Sequence, residues 1–176
     1  VAVAIPAEES DAANDITYIS GVIDQDTEFS NNNTVVVNDN LVINNGATLT
    51  IGKGTTFTVN EGVKLTIDGL KANTTDDRAT FHINGSVEVG RNGTIVNDNA
   101  KNLADSEDKT GFFVNGGLTV VRNGAISATN DIDTSADTVA AIVLGSSATF
   151  ETQSSGKNHA VIQNQAIVMA AGSSVT

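Results

Sequence analysis

Residues 81–99, FHINGSVEVGRNGTIVNDN, and residues 112–130, FFVNGGLTVVRNGAISATN, are two copies of one unit. Nine of the 19 aligned positions are identical, and Ile83/Val114 and Val87/Leu118 exchange one aliphatic side chain for another. Apolar and polar residues alternate within each copy, which is the period of a strand with one buried face. The alternation breaks at Asn84-Gly85 and Asn92-Gly93, and again at Asn115-Gly116 and Asn123-Gly124. Asn and Gly tolerate the left-handed backbone that a sharp corner needs. Strand, corner, strand, Asn-Gly corner and a short third strand at Ile95 or Ile126 together close one coil.

Weaker copies extend the pattern in both directions. Units start at residues 35, 57, 81, 112, 142 and 167, with offsets of 22, 24, 31, 30 and 25 residues. Coils of this length that stack strand on strand predict an all-β fold, a parallel β-solenoid of about six coils with three short strands per coil. This phasing gives one inward stack of Val35, Phe57, Phe81, Phe112, Ile142 and Ile167. A second holds Val37, Val59, Ile83, Val114, Leu144 and Met169. Asn38, Asn60, Asn84 and Asn115 then fall at equivalent corners, where stacked amides satisfy one another's donors and acceptors. Turn preference alone also accounts for them. Gly145 and Ala170 interrupt the series.

The longer coils carry their extra residues at one place. Segments 70–80, 98–111 and 130–141 each follow a third strand and precede the next first strand, so in a stack they emerge from one corner. They bear Asp76, Asp77, Asp105, Glu107, Asp108, Asp131, Asp133 and Asp137, the candidate binding residues, because loops on a rigid scaffold are where binding concentrates. Such an edge has the oxygen chemistry for calcium. None of the loops shows the ordered spacing of an EF-hand or a calcium-binding nonapeptide repeat, so no metal site is assigned. A solvated acidic edge that favours solubility is the plainer account.

The remaining composition narrows function mainly by exclusion. Nine basic against 21 acidic residues, a formal net charge of −12, argue against a phosphate-backbone partner. The absence of Cys excludes disulfides, thiolate metal sites and cysteine catalysis. No apolar run approaches the length of a membrane-spanning helix. No catalytic residues are assigned: glycoside hydrolysis needs two carboxylates across a cleft. The outward rows expected here, Val36/Thr58/His82/Phe113/Val143/Val168 and Val42/Lys64/Glu88/Thr119/Thr149/Ser174, hold no such pair. His82 and His159, the two histidines, show no metal or triad spacing and read as surface residues. Arg91 and Arg122 match between the two copies and read as corner residues with acidic partners.

Residues 1–20 lack the repeat and read as a flexible leader following a signal segment, with Ala2-Val3-Ala4 resembling a cleavage site. An arbitrary chain boundary is the other reading. Residues 21–34 are expected to cap the solenoid, and residues 35–176 to form it. The last coil stops at residues 173–176 with its core uncovered, which predicts either a longer parent protein or end-on self-association through the C-terminal coil.

The stretch 21–69, GVIDQDTEFSNNNTVVVNDNLVINNGATLTIGKGTTFTVNEGVKLTIDG, resembles the opening of right-handed, pectin-lyase-like parallel β-helix domains of bacterial cell-surface and secreted, adhesin-like proteins. The likeness rests on the run Gly46–Ile51 followed by Gly54–Val59. It implies a right-handed β-helix in an extracellular, secreted or cell-surface protein, whose partner is a host or community surface protein or glycan. Lyases, adhesins and passenger domains share this fold, so it does not fix an activity. The resemblance also implies an alternative, a carbohydrate-binding or polysaccharide-degrading β-helix whose active residues lie outside this chain. The Gly-His-Gly and Arg-x-Lys arrangements of the pectinase-type members are absent here.

Overall fold

The structure, a computed structural model, describes residues 16–30, 33–44, 46–68, 78–98, 100–102, 107, 109–129 and 138–176. The chain begins with β1 (Ile16–Ile23), β2 (Thr27–Phe29) and β3 (Thr34–Ile43), followed by β4 (Thr48–Ile51), β5 (Thr56–Val59) and β6 (Lys64–Ile67). The next turn holds β7 (Thr80–Ile83), β8 (Ser86–Val89), β9 (Thr94–Asn97) and the short β10 (Ala100–Asn102). Then come β11 (Gly111–Val114), β12 (Gly117–Val120) and β13 (Ala125–Ser127). The last turns contain β14 (Thr138–Leu144), β15 (Thr149–Thr152), β16 (Ser154–Ser155), β17 (Asn158–His159), β18 (Val161–Ile162), β19 (Ala166–Met169) and β20 (Ser174–Val175). Strands of four residues or so are what alternating β-branched and polar residues between Gly and Asn breaks produce.

These strands stack in parallel into three faces of a β-solenoid. The first face runs β2, β4, β7, β11, β14, β19. The second runs from the leading halves of β1 and β3 through β5, β8, β12 and β15 to β20. The third runs from the trailing halves of β1 and β3 through β6, β9 and β13 to β18. Because β1 and β3 continue round the corner, the second and third faces form one 11-stranded sheet. The ladders reach N-terminal of residue 35: Thr17 pairs with Val35 and Ile23 with Ile43, so residues 16–29 lie in the same stacks as the repeats.

Inward side chains from the three faces meet in one core. Phe81 and Phe112, neighbours on the first face, stack with ring centroids 5.4 Å apart at 19°. Phe57 reaches Phe81 from the second face at 5.6 Å. Leu41, Leu65, Ile95 and Ile126 close the third side, all without measurable exposure. β19 is the last rung of the first face, and its Ile167 and Met169 are 40% and 51% exposed.

The phase of the first coils differs from the sequence expectation. Phe57 pairs with Val35 and Val87, whereas Phe81 pairs with Leu49 and Phe112. The two inward stacks read from sequence therefore join strands of two different faces. The cause is that every strand carries the same alternation and ends at the same kind of corner, so a slip of one whole strand preserves the pattern. The supposed four-rung Asn series divides likewise. Asn84 and Asn115 follow the first face, and Asn115 Nδ2 donates to Asn84 Oδ1 at 3.1 Å. Asn38 and Asn60 follow the second-face segments and stand at another corner.

Corner chemistry explains the composition. Between the second and third faces, Gly62, Asn92 and Asn123 occupy one equivalent position, with φ of 73°, 58° and 65°. Those are left-handed values that Gly and Asn reach with little strain. Between the first and second faces the chain turns in two residues at Asn84-Gly85 and Asn115-Gly116, and backbone packs on backbone there. A Cβ on Gly116 would collide with the carbonyl oxygen of Gly85, whereas one on Gly117 would meet Thr149 Oγ1 at an ordinary 3.5 Å. Gly116→Ala is expected to destabilise by about 1–3 kcal/mol, the usual cost of an overpacked site. Gly117→Ala should stay within about 0.5 kcal/mol. Midpoints of urea unfolding compare the two.

Candidate functional site

Two features gather on the first face: the corner from which the insertions emerge, and a concavity on the outward surface beside it. The corner lies between the third and first faces, where residues 68–79, 98–110 and 128–137 intervene between strands. Its roots are held by buried polar groups. Asp98, 9% exposed, accepts from Thr129 N at 2.6 Å and from Thr129 Oγ1 at 2.7 Å, so one carboxylate joins the bases of two successive insertions. Asn97, fully buried, donates through Nδ2 to Ala141 O at 3.0 Å and to Gln165 Oε1 at 2.8 Å. Hydrogen bonds to a charged acceptor are the stronger kind. A further tie is β10, which leaves the stack and pairs antiparallel with the leading half of β14, Ala100 opposite Ala140 and Asn102 opposite Thr138.

Of the acidic residues singled out in these loops, Glu107 is described, and it is exposed. Asp76, Asp77, Asp105, Asp108, Asp131, Asp133 and Asp137 lie outside the described residues. Among the described residues no group of three or more His, Asp or Glu is placed to hold a metal ion, and no helix is long and apolar enough to cross a membrane.

The outward rows also change with the register. On the first face the row is Glu28, Thr50, His82, Phe113, Val143, Val168. On the second it is Val36, Thr58, Glu88, Thr119, Glu151. Glu88 and Glu151 thus share a row two rungs apart, roughly 10 Å at twice the interstrand spacing. Both are exposed, and Glu151 accepts from Gln153 Nε2 at 3.4 Å. Beside them runs a row of small and hydroxyl residues, Thr34, Thr56, Ser86, Gly117, Thr149 and Ser174, in which Thr56 Oγ1 donates to Thr34 Oγ1 at 3.3 Å. Arg91 does meet an acidic neighbour, Glu61 at 3.7 Å, in an exposed pair of little energetic weight.

The concavity has a volume of about 270 Å³ and is lined by His82, Lys109, Phe113, Asn115, Val143 and Gly145. His82, expected from the sequence at the surface, is half-buried, its ring 6.0 Å from that of Phe113 at 58°. Asn115 Nδ2 lies 2.7 Å from His82 Nε2. The same amide group donates to Asn84 Oδ1, which orients it as a donor and makes His82 Nε2 the acceptor. The neutral ring then carries its proton on Nδ1. Burial lowers the His82 pKa from the ordinary 6.5, because the charged form loses hydration. Asn115 Oδ1 sits over Gly145, where a Cβ would clash with it. Lys109 stands at the rim, its carbonyl accepting from Thr80 Oγ1 at 3.4 Å.

Sequence reasoning missed Asp98, Asn97 and Lys109 as well as the His82 cluster. Asp98 and Asn97 interrupt an otherwise alternating strand end, a signal visible in the sequence. The meeting of His82, Phe113 and Asn115 depends on pairing between residues 31 positions apart. Comparison with known proteins matches the chain to no protein family, no curated protein and no solved structure.

His82 makes stability depend on pH. Its folded pKa lies below 6.5, so on acidification the unfolded chain takes up the proton first. Its stabilising contribution is complete above pH 6.5 and is lost as pH falls through the lower folded value. Thermal melts of wild type and His82→Gln at about pH 7.5 and about pH 5 should show wild type losing more on acidification. Parallel losses would contradict the assignment of the neutral ring.

Proposed function

We propose that this β-helix is a non-enzymatic extracellular surface protein, adhesin-like or a structural scaffold, that engages a host or community partner through its insertion corner. The observation that carries the reading is the antiparallel pairing of β10 with β14, reinforced at its root by Asp98 and Thr129. Two insertions of the repeat are thereby anchored to each other on a scaffold whose coils are otherwise regular. Loops held by a rigid frame lose less conformational freedom on binding than free ones, which favours recognition there. The acidic excess of the chain gives such a surface a negative field suited to a basic or hydroxyl-rich partner.

The pectin-lyase-like kinship and secretion in a bacterium belong to this proposal too, supported by the parallel three-faced stack and by the 21–69 motif. The alternative, a carbohydrate-binding or polysaccharide-degrading protein, draws support from Glu88 and Glu151 on one row, but both stand exposed on a flat strand face.

The partner surface is tested on a glycan array and on immobilised cell-surface protein. Residues 103–108 are replaced by a Gly-Ser linker, sparing Asp98 and β10. Binding by wild type and at least tenfold weaker binding by the variant, with the circular dichroism spectrum unchanged, support the reading. Undiminished binding by the variant, or release of oligosaccharides from an acidic polysaccharide, overturns it.

A further inference from the structure

We infer that the concavity on the outward surface of the first face is a binding site for a small organic carboxylate carrying a flat apolar face. The reading is separate from partner binding by the acidic loops and needs none of the acidic loop residues.

The site combines two kinds of surface that seldom meet by chance on a chain of this charge. Phe113 and Val143 form an apolar wall, and Gly145, over which Asn115 Oδ1 sits, lines its foot. Lys109 at the rim pairs with no carboxylate among the described residues, although acidic residues outnumber basic ones by 21 to nine. His82 presents a second donor. Its Nε2 is occupied by Asn115, which leaves Nδ1–H as the group able to donate, with no protein partner among the described residues. Burial keeps that ring neutral, so it offers a hydrogen bond without a second full charge.

Each property excludes a class of occupant. A purely apolar molecule would cover Lys109 without pairing it, which costs desolvation. An inorganic anion would satisfy Lys109 and leave the Phe113 wall wet. A nucleic acid or polyphosphate brings more negative charge than one lysine offsets against this chain's own field. A monocarboxylate on a ring fits both surfaces: its oxygens take Lys109 and His82 Nδ1–H, both in charge-assisted hydrogen bonds, the first with charge on both partners. Its ring lies against Phe113, an aromatic ring in the offset or edge contact that quadrupoles favour and a sugar ring through its C–H face. At about 270 Å³ the space lies just below the usual range for drug-sized ligands, so it admits a single ring.

Aromatic acids and acidic monosaccharides share this chemistry, and the experiment separates them. Sodium benzoate, sodium glucuronate, benzyl alcohol and inorganic phosphate are titrated into the protein while amide and side-chain resonances are followed by NMR. A saturable shift of the Phe113, Gly145 and His82 signals with benzoate or glucuronate is expected, with Kd on the order of 1 mM for one open site. Whichever of the two binds more tightly identifies the source. Lys109→Gln should weaken carboxylate binding at least fivefold and leave benzyl alcohol unchanged, whereas Phe113→Ala should weaken both. Lys109 is exposed, so its variant keeps the fold, and an unchanged amide spectrum checks this. Equal binding by Lys109→Gln, phosphate binding as tightly as the carboxylates, or shifts confined to other faces would overturn the assignment.

Discussion

The parallel hydrogen-bond ladder running unbroken along each face is the constraint on which everything else in this molecule depends. A strand of four residues has too few hydrogen bonds and too little buried surface to hold by itself. It is held because the rungs before and after it satisfy its backbone and cover its side chains, as Phe81 is held between Leu49 and Phe112. Each corner must therefore return the chain to a position about 4.8 Å along the axis. That demand appears at Gly62, Asn92 and Asn123 as left-handed backbone, and at Gly85 and Gly116 as contact too close for a Cβ. It also explains a single Pro in 176 residues, since a ladder of this kind needs nearly every amide donor.

The ladder confines variation. Extra residues at the two tighter corners would displace the strands that follow, and apart from the short β16–β17 hairpin those corners stay at two to four residues. The third corner absorbs the insertions instead, and there the core polar groups Asn97 and Asp98 replace apolar side chains. Buried polar groups cost least where hydrogen-bonded. Asp98 joins Thr129 of the next coil and Asn97 Nδ2 reaches Ala141 and Gln165 further along, so the loops spring from a braced base. The concavity on the first face lies beside that base because Lys109 is the last charged residue of an insertion before β11 begins.

The repeat, the strand period, the corner residues and the place of the insertions were all legible along the chain. Each is a local property: alternation in FHINGSVEV, left-handed tolerance in Asn-Gly, surplus length between Ile67 and Thr80. The phase was not. TFTVNEGVKLTI and TFHINGSVEV present the same alternation at different points of the coil, so aligning Phe57 with Phe81 satisfied every local rule. That slip hid the candidate site, because outward rows are assembled across coils. Under the wrong phase Thr58 preceded His82 and Glu88 shared a row with Lys64; under the observed register Thr50 precedes His82 and Glu88 lies in line with Glu151.

The kind of object is written locally along the chain: a repeating all-β chain with polar corners, an aliphatic and aromatic interior, and acidic insertions at one edge. Those follow from residue preferences acting over a few positions. Packing across coils sets which strand lies on which, and hence that His82 accepts from Asn115 and faces Phe113, that Asp98 holds Thr129, and that Asn97 reaches Gln165. These contacts join residues 31 to 68 positions apart. The reason is physical: packing the interior selects one register among several that serve the backbone equally, and the outer surface inherits its pattern from that choice.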